Sequence, residues 1–323
     1  MRSSILTGTP PTVKGNPVQN PLKQSRSVKK SWLSALVAVP VVAMLAGCAG
    51  GSNEAATGTE DDVIQIGVIG ASDPYWDIYQ DAAAEEGISI ELVDFADYTQ
   101  LNPAVSEGEL DMNQFQHLVF LADYNVSSGS DLAPIGSTAI YPLGLYSTQY
   151  DGLDEISEGD TVAVPNDATN LARALLLLQA EGLIALDGGG NNLSGLQDID
   201  EENSKVTVTA LEASLTAASL TDVAAAVINN DFVEKAGLTF EGALAADDPT
   251  DEGAFAYINV FASRDEDKDN ETFLRLIEIF QTNQDVQDGL LAVSGDTAVP
   301  LAATTAELEE ALVGVTADVE AAE

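Results

Sequence analysis

One cysteine and one histidine are all that 323 residues offer of the two most versatile reactive side chains. Cys48 alone can form no internal disulfide. His117 alone rules out a multi-histidine metal cluster and weakens any serine or cysteine triad. Neither a phosphate-binding glycine loop nor a nucleophile motif is present, and no carboxylates stand out as a glycosidase pair at strand ends. Basic residues are scarce too: 12 stand against 53 acidic ones, for a formal charge of -41. Six of the 12 precede Cys48, where no acid occurs, so the rest of the chain sets only Arg173, Lys205, Lys235, Arg264, Lys268 and Arg275 against every acidic residue. Nucleic acid is excluded as a partner by that balance.

What is present is a chain that folds. Hydrophobic residues make up 45% and recur in strand and helix patterns, which separates this sequence from a disordered polyanion. Lys29 and Lys30 lead into the apolar stretch 32–44, and Leu45-Ala46-Gly47-Cys48 follows. That layout is a secretory signal ending in a sequence that resembles the bacterial lipobox, whose cysteine is acylated and becomes the first mature residue. A spanning helix is the competing reading, but residues 32–47 fall short of the roughly 20 apolar residues required and Pro40 interrupts them. The Gly- and Ser-containing stretch after Cys48 reads as a tether. The expected location is the extracytoplasmic membrane face, held by lipid on Cys48.

Ile64 to Ile69 reads as a buried strand, Asp73-Pro74 as a helix start, Gly87 as its end, and Ser89 to Phe95 as the next strand. This βαβ opening implies parallel pairing. Strands are expected near 110–115, 132–141, 161–164, 205–211, 224–229 and 255–262, and helices near 117–125, 169–181 and 271–283. The class is α/β throughout. Residues 188–192 and 245–253 read as ordinary surface connections, and 302–323 as a solvated helix or loose tail.

Five short segments then occur in order: Asp94-Phe95-Ala96-Asp97-Tyr98, Phe115-Gln116-His117, Pro142 to Ser147, Val164-Pro165-Asn166-Asp167 with Asn170 and Arg173 to Leu178, and Ala226 to Asn230. Together they resemble the methionine-binding lipoprotein family over about residues 62–300. The resemblance implies a type II periplasmic-binding-protein fold of two lobes with two crossovers, and a ligand in the cleft between them. It also implies an amino acid as ligand, an ABC permease and its ATPase as partners, and neither catalysis nor cofactor nor metal. The layout expected is a signal peptide over 1–48, a tether over 49–61, the first part of lobe I over 62–142, lobe II over 143–256, and the remainder of lobe I with a C-terminal tail over 257–323. Arg173 and Asn229 match the family pair that holds the ligand backbone, Asn170 belongs to the same motif as Arg173, and Tyr98, Phe115, His117 and Tyr141 match the side-chain pocket.

The residue chemistry agrees in part. Arg173, one turn into a helix after a strand, carries a planar fork suited to a carboxylate, and the helix N-terminus favours an anion; the competing reading is an ion pair with one of the many acids. Its replacement is expected to remove binding while leaving the melting of the empty protein nearly unchanged. Asn229 closes an apolar strand, where it can donate to a carboxylate, accept from an ammonium, or simply form a turn. A lone histidine is more often a structural hydrogen-bonder, and the aromatics could be core, although an aromatic lining suits a thioether. The sequence departs from the family pattern at Gln114, where an aromatic is usual, and over Asp73 to Asp77. Those departures leave room for another small amino acid or a methionine-containing peptide. A non-transport sensor or adhesin on the same fold stays open as well.

Overall fold

The computed structural model describes residues 56–251 and 253–321. The chain divides into two units, Met1–Gly50 and Gly51–Glu323, and every described residue belongs to the second. The signal peptide and Cys48 lie outside the described residues.

β-Branched residues at every second position build β1 (Ile64–Val68), whose carbonyl end leads over Gly70 into α1 (Pro74–Glu85). Asp73 supplies the N-cap position and Pro74 the first helical residue, where a missing N–H costs nothing. Gly87 then takes φ +77°, a left-handed turn that ends the helix, and the chain returns as β2 (Ile90–Asp94). The chain continues through α2 (Leu101–Ser106), β3 (Met112–His117), α3 (Leu118–Ser128) and β4 (Leu132–Ile140).

A short connection carries it from Ile140 into a second sheet. There β5 (Gly144–Tyr146), β6 (Thr161–Pro165), α4 (Ala168–Ala180), β7 (Thr207–Leu211), α5 (Ala213–Thr216), β8 (Ala225–Ile228), α6 (Asn230–Val233) and β9 (Ala245–Ala246) follow one another. The chain crosses back into β10 (Ile258–Arg264), then α7 (Glu271–Thr282), α8 (Gln284–Val293), β11 (Val299–Pro300) and α9 (Thr305–Glu320). The first sheet runs β11-β4-β10-β3-β1-β2 and the second β7-β6-β8-β5-β9. This is the two-lobe α/β architecture, and we refer to the first sheet with its helices as lobe I and the second as lobe II.

Pairing of β1 with β2 and β3 is parallel, as the helical crossover demands, whereas the returning β10 lies antiparallel between β3 and β4. Each lobe has its own interior. Trp76, Tyr79, Phe261, Phe273 and Phe280, all fully buried, fill one side of sheet I, and a Leu-rich set around Leu175 and Leu178 fills lobe II. Polar groups also pin β3: the side chains of Asn102, Asn113 and Gln116 close a buried ring of amide hydrogen bonds of 2.6–3.0 Å. Satisfied on all sides, such a ring fixes the register of the strand that carries Phe115 and His117.

Two expectations are corrected. The C-terminal stretch is no loose or merely solvated tail: Thr304 and Glu307 form a reciprocal capping box, and α9 buries Leu308, Val315 and Val319 against Leu118 and Ala122 of α3. Residues 245–253 are not just a surface connection either. Within them β9 pairs with β5, and Asp247 accepts a 2.7 Å hydrogen bond from the Leu143 amide at the first crossover.

Candidate functional site

The carboxyl ends of β2 and β3 in lobe I and of β6 and β8 in lobe II face one seam, where open α/β sheets bind ligands. From lobe I, Tyr98 enters on a turn capped by Asp97, whose carboxylate accepts from the Thr99 amide at 2.9 Å. Phe115 and His117 come from the end of β3. From lobe II, Asn170 and Arg173 come from the first turns of α4, and Asn229 is the N-cap position of α6.

Of the expected residues, the structure brings Tyr98, Phe115, His117, Asn170 and Asn229 into one contact network. The Tyr98 ring lies 5.6 Å from Phe115 and 5.4 Å from Phe232, which belongs to lobe II. Phe120 stands edge-on to both Phe115 and Tyr98. Rings from both lobes thus close a single aromatic seam, in the offset and edge geometries that aromatic quadrupoles favour. His117 Nδ1 accepts from the Phe120 amide at 3.1 Å, so its proton sits on Nε2, 3.4 Å from Asn170 Oδ1. Burial, with the Arg173 charge beside it, pulls the His117 pKa down to about 3, so the ring is neutral at physiological pH. Asn170 Oδ1 also accepts from Asn229 Nδ2 at 2.9 Å. That leaves Asn229 Oδ1 buried with no partner: of the two roles open to this amide, acceptor is the one still vacant.

Arg173 is placed differently from expectation. Its fork is not free for a carboxylate, because Nε and Nη2 lie 2.6 and 3.1 Å from the two oxygens of Asp247, and Nη2 also donates to the Tyr141 carbonyl at 2.8 Å. The guanidinium stacks 4.4 Å from the Tyr257 ring, which in turn meets His117 edge-on at 5.2 Å. Nη1 takes no part in these hydrogen bonds. The N-terminus of α4 is likewise occupied: Asp167 Oδ1 accepts from the Asn170 amide at 2.9 Å, which places a carboxylate where an anionic ligand group was expected. Burial raises the Asp167 pKa despite those bonds. Tyr141 lies apart from the ring cluster and borders, with Phe115, a neighbouring chamber.

Phe120, Phe232, Asp231 and Tyr257 were not singled out from the sequence. The first two follow His117 and Asn229 by three residues at helix starts, one turn from an expected contact, and that spacing was the available signal. Asp231 bridges the lobes directly, accepting from the Tyr98 hydroxyl at 2.6 Å. Burial pushes its carboxyl up to about 6; the Tyr98 hydroxyl, Lys235 and the Asn230 amide favour its charge, while Asp73 opposes it. The folded chain therefore holds this proton more tightly than the unfolded chain, whose carboxyl keeps the ordinary value of 3.8. The resulting penalty is absent below the ordinary value, grows as pH rises through about 6, and is complete above it. Asp231→Asn is expected to be more stable than wild type at pH about 7.5, by up to about 3 kcal/mol, with the gap shrinking toward pH about 4.5. Denaturant titrations at both pH values check this, and a gap that ignores pH would rule it out.

Among the described residues no helix is long and apolar enough to cross a membrane. Residues 64–301 match the family model described as NlpA lipoprotein. The probable D-methionine-binding lipoprotein MetQ of Pasteurella multocida is 34% identical over 275 residues, covering 83% of this chain and 98% of that protein. The D-methionine-binding lipoprotein MetQ of Escherichia coli K12 is 36% identical over 231 residues, 68% and 82% of the two chains. Among solved structures, the substrate binding protein of a methionine transporter from Streptococcus pneumoniae superposes with a TM-score of 0.69 at 35% identity, covering 74% of this chain and 95% of that one. A nutrient binding protein from Burkholderia cenocepacia, bound to methionine, gives 0.68 at 32%, covering 74% and 99%.

Proposed function

Because the chain belongs to the NlpA lipoprotein family, we propose that it is the substrate-binding component of an ABC importer, taking methionine between its lobes and delivering it to a permease driven by its ATPase. The observation that carries this reading is the seam built from both lobes: aromatic rings from each, with an unpartnered amide oxygen of Asn229 beside them. Aromatic edges make favourable contacts with a thioether, and a donor-seeking acceptor suits the α-ammonium of an amino acid. Arg173 Nη1, which takes no part in the pairing with Asp247, is a guanidinium donor at the edge of the seam, and it meets the carboxylate.

The lobes are read as 62–142 with 257–323, and 143–256. Closure of one on the other traps the ligand and presents the closed face to the permease. Two acyl chains on Cys48 hold the protein at the extracytoplasmic membrane surface. The tether expected over 49–61 does not reach that far: Ala56 is buried against lobe I and donates to Asp111 at 2.9 Å, and the Gly58 carbonyl accepts from the Ser89 amide at 2.8 Å. The chain binds and releases; it performs no turnover.

Calorimetric titration of the full-length protein in detergent, stripped of ligand, tests this. One-to-one binding of L- or D-methionine, with no heat from acidic or basic amino acids, is the expected result. Binding of a different amino acid with methionine inert would overturn the assignment of substrate while leaving the receptor role.

A further inference from the structure

The guanidinium of Arg173 is filled along one edge. Nε and Nη2 take the two Asp247 oxygens at 2.6 and 3.1 Å, Nη2 also donates to the Tyr141 carbonyl at 2.8 Å, and Tyr257 covers a face at 4.4 Å. Those contacts leave out Nη1. The guanidinium stands beside the seam, close enough for its charge to act, after burial, in holding His117 neutral. An arginine left unsupported samples many rotamers, and a ligand that must fix one of them loses affinity to the ordering.

What holds Asp247 therefore bears on what Arg173 can do. The Asp247 backbone continues the pairing of β9 with β5: its amide donates to the Leu143 carbonyl at 3.2 Å, and the Leu143 amide donates back to Asp247 Oδ1 at 2.7 Å. One main-chain and one side-chain bond to the same residue fix this carboxylate where the two crossovers meet. The adjacent Asp248 is used differently, accepting from the Thr250 amide and hydroxyl at 2.8 and 2.6 Å within its own turn. An ordinary surface ion pair joins long side chains that are held by little else. Here the acid is short, tied down through its backbone and its carboxylate, and grips a planar fork with both oxygens, so it orients Arg173 as well as neutralising it.

We infer that Asp247 is a positioning residue for ligand capture: it holds the Arg173 guanidinium in the orientation that offers Nη1 to the carboxylate of the amino acid. The assignment rests on the methionine reading above and places a carboxylate of the protein behind the arginine that meets the carboxylate of the ligand. That ligand group is met by one corner of the guanidinium rather than by its two-pronged edge, so the orientation of the corner decides how well it is held. Loss of Asp247 frees an edge that faces the crossovers and lets the side chain turn. Orientation is lost, and no second prong is gained at the seam.

The test is a double-mutant cycle: calorimetric titration of L-methionine and L-methioninol into full-length wild type, Asp247→Ala, Arg173→Ala and the double variant, with a melt of each ligand-free protein. Methioninol keeps the ammonium and the thioether and replaces the carboxylate by a hydroxymethyl group. Asp247→Ala is expected to weaken methionine about tenfold beside an intact Arg173 and less than about twofold in the Arg173→Ala background, because a residue acting through another adds nothing once the other is gone. Its effect on methioninol should stay below about threefold in both backgrounds, and the cycle on methionine decides alone where methioninol is too weak to titrate. Asp247→Asn, which keeps the shape and an acceptor oxygen, should fall between wild type and Ala, and takes the place of Ala if that variant misfolds. A purely structural role would lower the melting temperature and weaken both ligands equally in both backgrounds. That pattern overturns the positioning role, as does methionine affinity that is unchanged or tighter in Asp247→Ala, and each leaves the methionine reading intact. If wild type does not bind methionine, that reading falls and the positioning role with it.

Discussion

Arg173→Ala is expected to lose on the order of a hundredfold in methionine affinity and, in the same variant, to lower the melting temperature of the empty protein. The first effect follows from removing the one guanidinium at the seam: truncating one partner of a hydrogen-bonded charge pair at an interface costs about 2–5 kcal/mol, at about 1.4 kcal/mol per tenfold. The second follows from what Arg173 already holds. It bonds the Tyr141 carbonyl beside the first crossover and the Asp247 carboxylate beside the second, and Asp247 in turn accepts from Leu143. Truncation strands a carboxylate and a carbonyl where the two crossover segments meet. Because the Asp247 side chain is 29% exposed, the cost is about 1–3 kcal/mol, below the 3–5 typical of a fully buried pair. Arg173→Lys keeps the charge but not the two-pronged geometry, and should fall between wild type and Ala in both measurements. Calorimetry and thermal melts of the ligand-free proteins report the two effects separately. Retained affinity would remove Arg173 from capture, and an unchanged melt would show that its ion pair adds nothing to the fold.

That prediction differs from the one drawn from sequence, and the reason is physical. A residue's place on its own element is a local property, and the apolar runs, Asp73-Pro74 and the Asn-Asn pair after β8 make most element positions readable. Asp247 pairs with Arg173 across 74 positions of chain, inside a stretch whose Asp-Asp-Pro composition says only that it turns. No periodicity announces such a partner. The helix α9 failed for a related reason: its Ala- and Glu-rich surface masks Leu308, Val315 and Val319, which matter only because α3 lies beneath them. Gln114 is the opposite case. A glutamine where the family usually has an aromatic was conspicuous from the start, but its surroundings depended on Asp73 and Tyr75 arriving beside it from the α1 start and Glu234 from the other lobe.

Phe280→Ala should produce the largest loss of stability with the least effect on the seam. Phe280 is completely buried on α7, and its ring centre lies 5.1 Å from Phe261, 5.4 Å from Tyr79, 5.9 Å from Trp76 and 6.3 Å from Tyr75. Removing the hub of such a cluster forfeits its burial and opens a cavity that four rings, each fixed by other contacts, cannot fill; about 3–5 kcal/mol is the expected cost. Against a total of about 5–15 kcal/mol for a native protein, that is a large share. The damage is confined to the lobe I interior, since Tyr98, His117, Asn170 and Asn229 belong to none of these contacts. Methionine affinity measured well below the melting transition should stay within about threefold, and saturating methionine should restore part of the lost melting temperature. A denaturant midpoint scarcely moved from wild type would mean that the rings close over the gap, and that the core of lobe I is softer than its aromatic contacts imply.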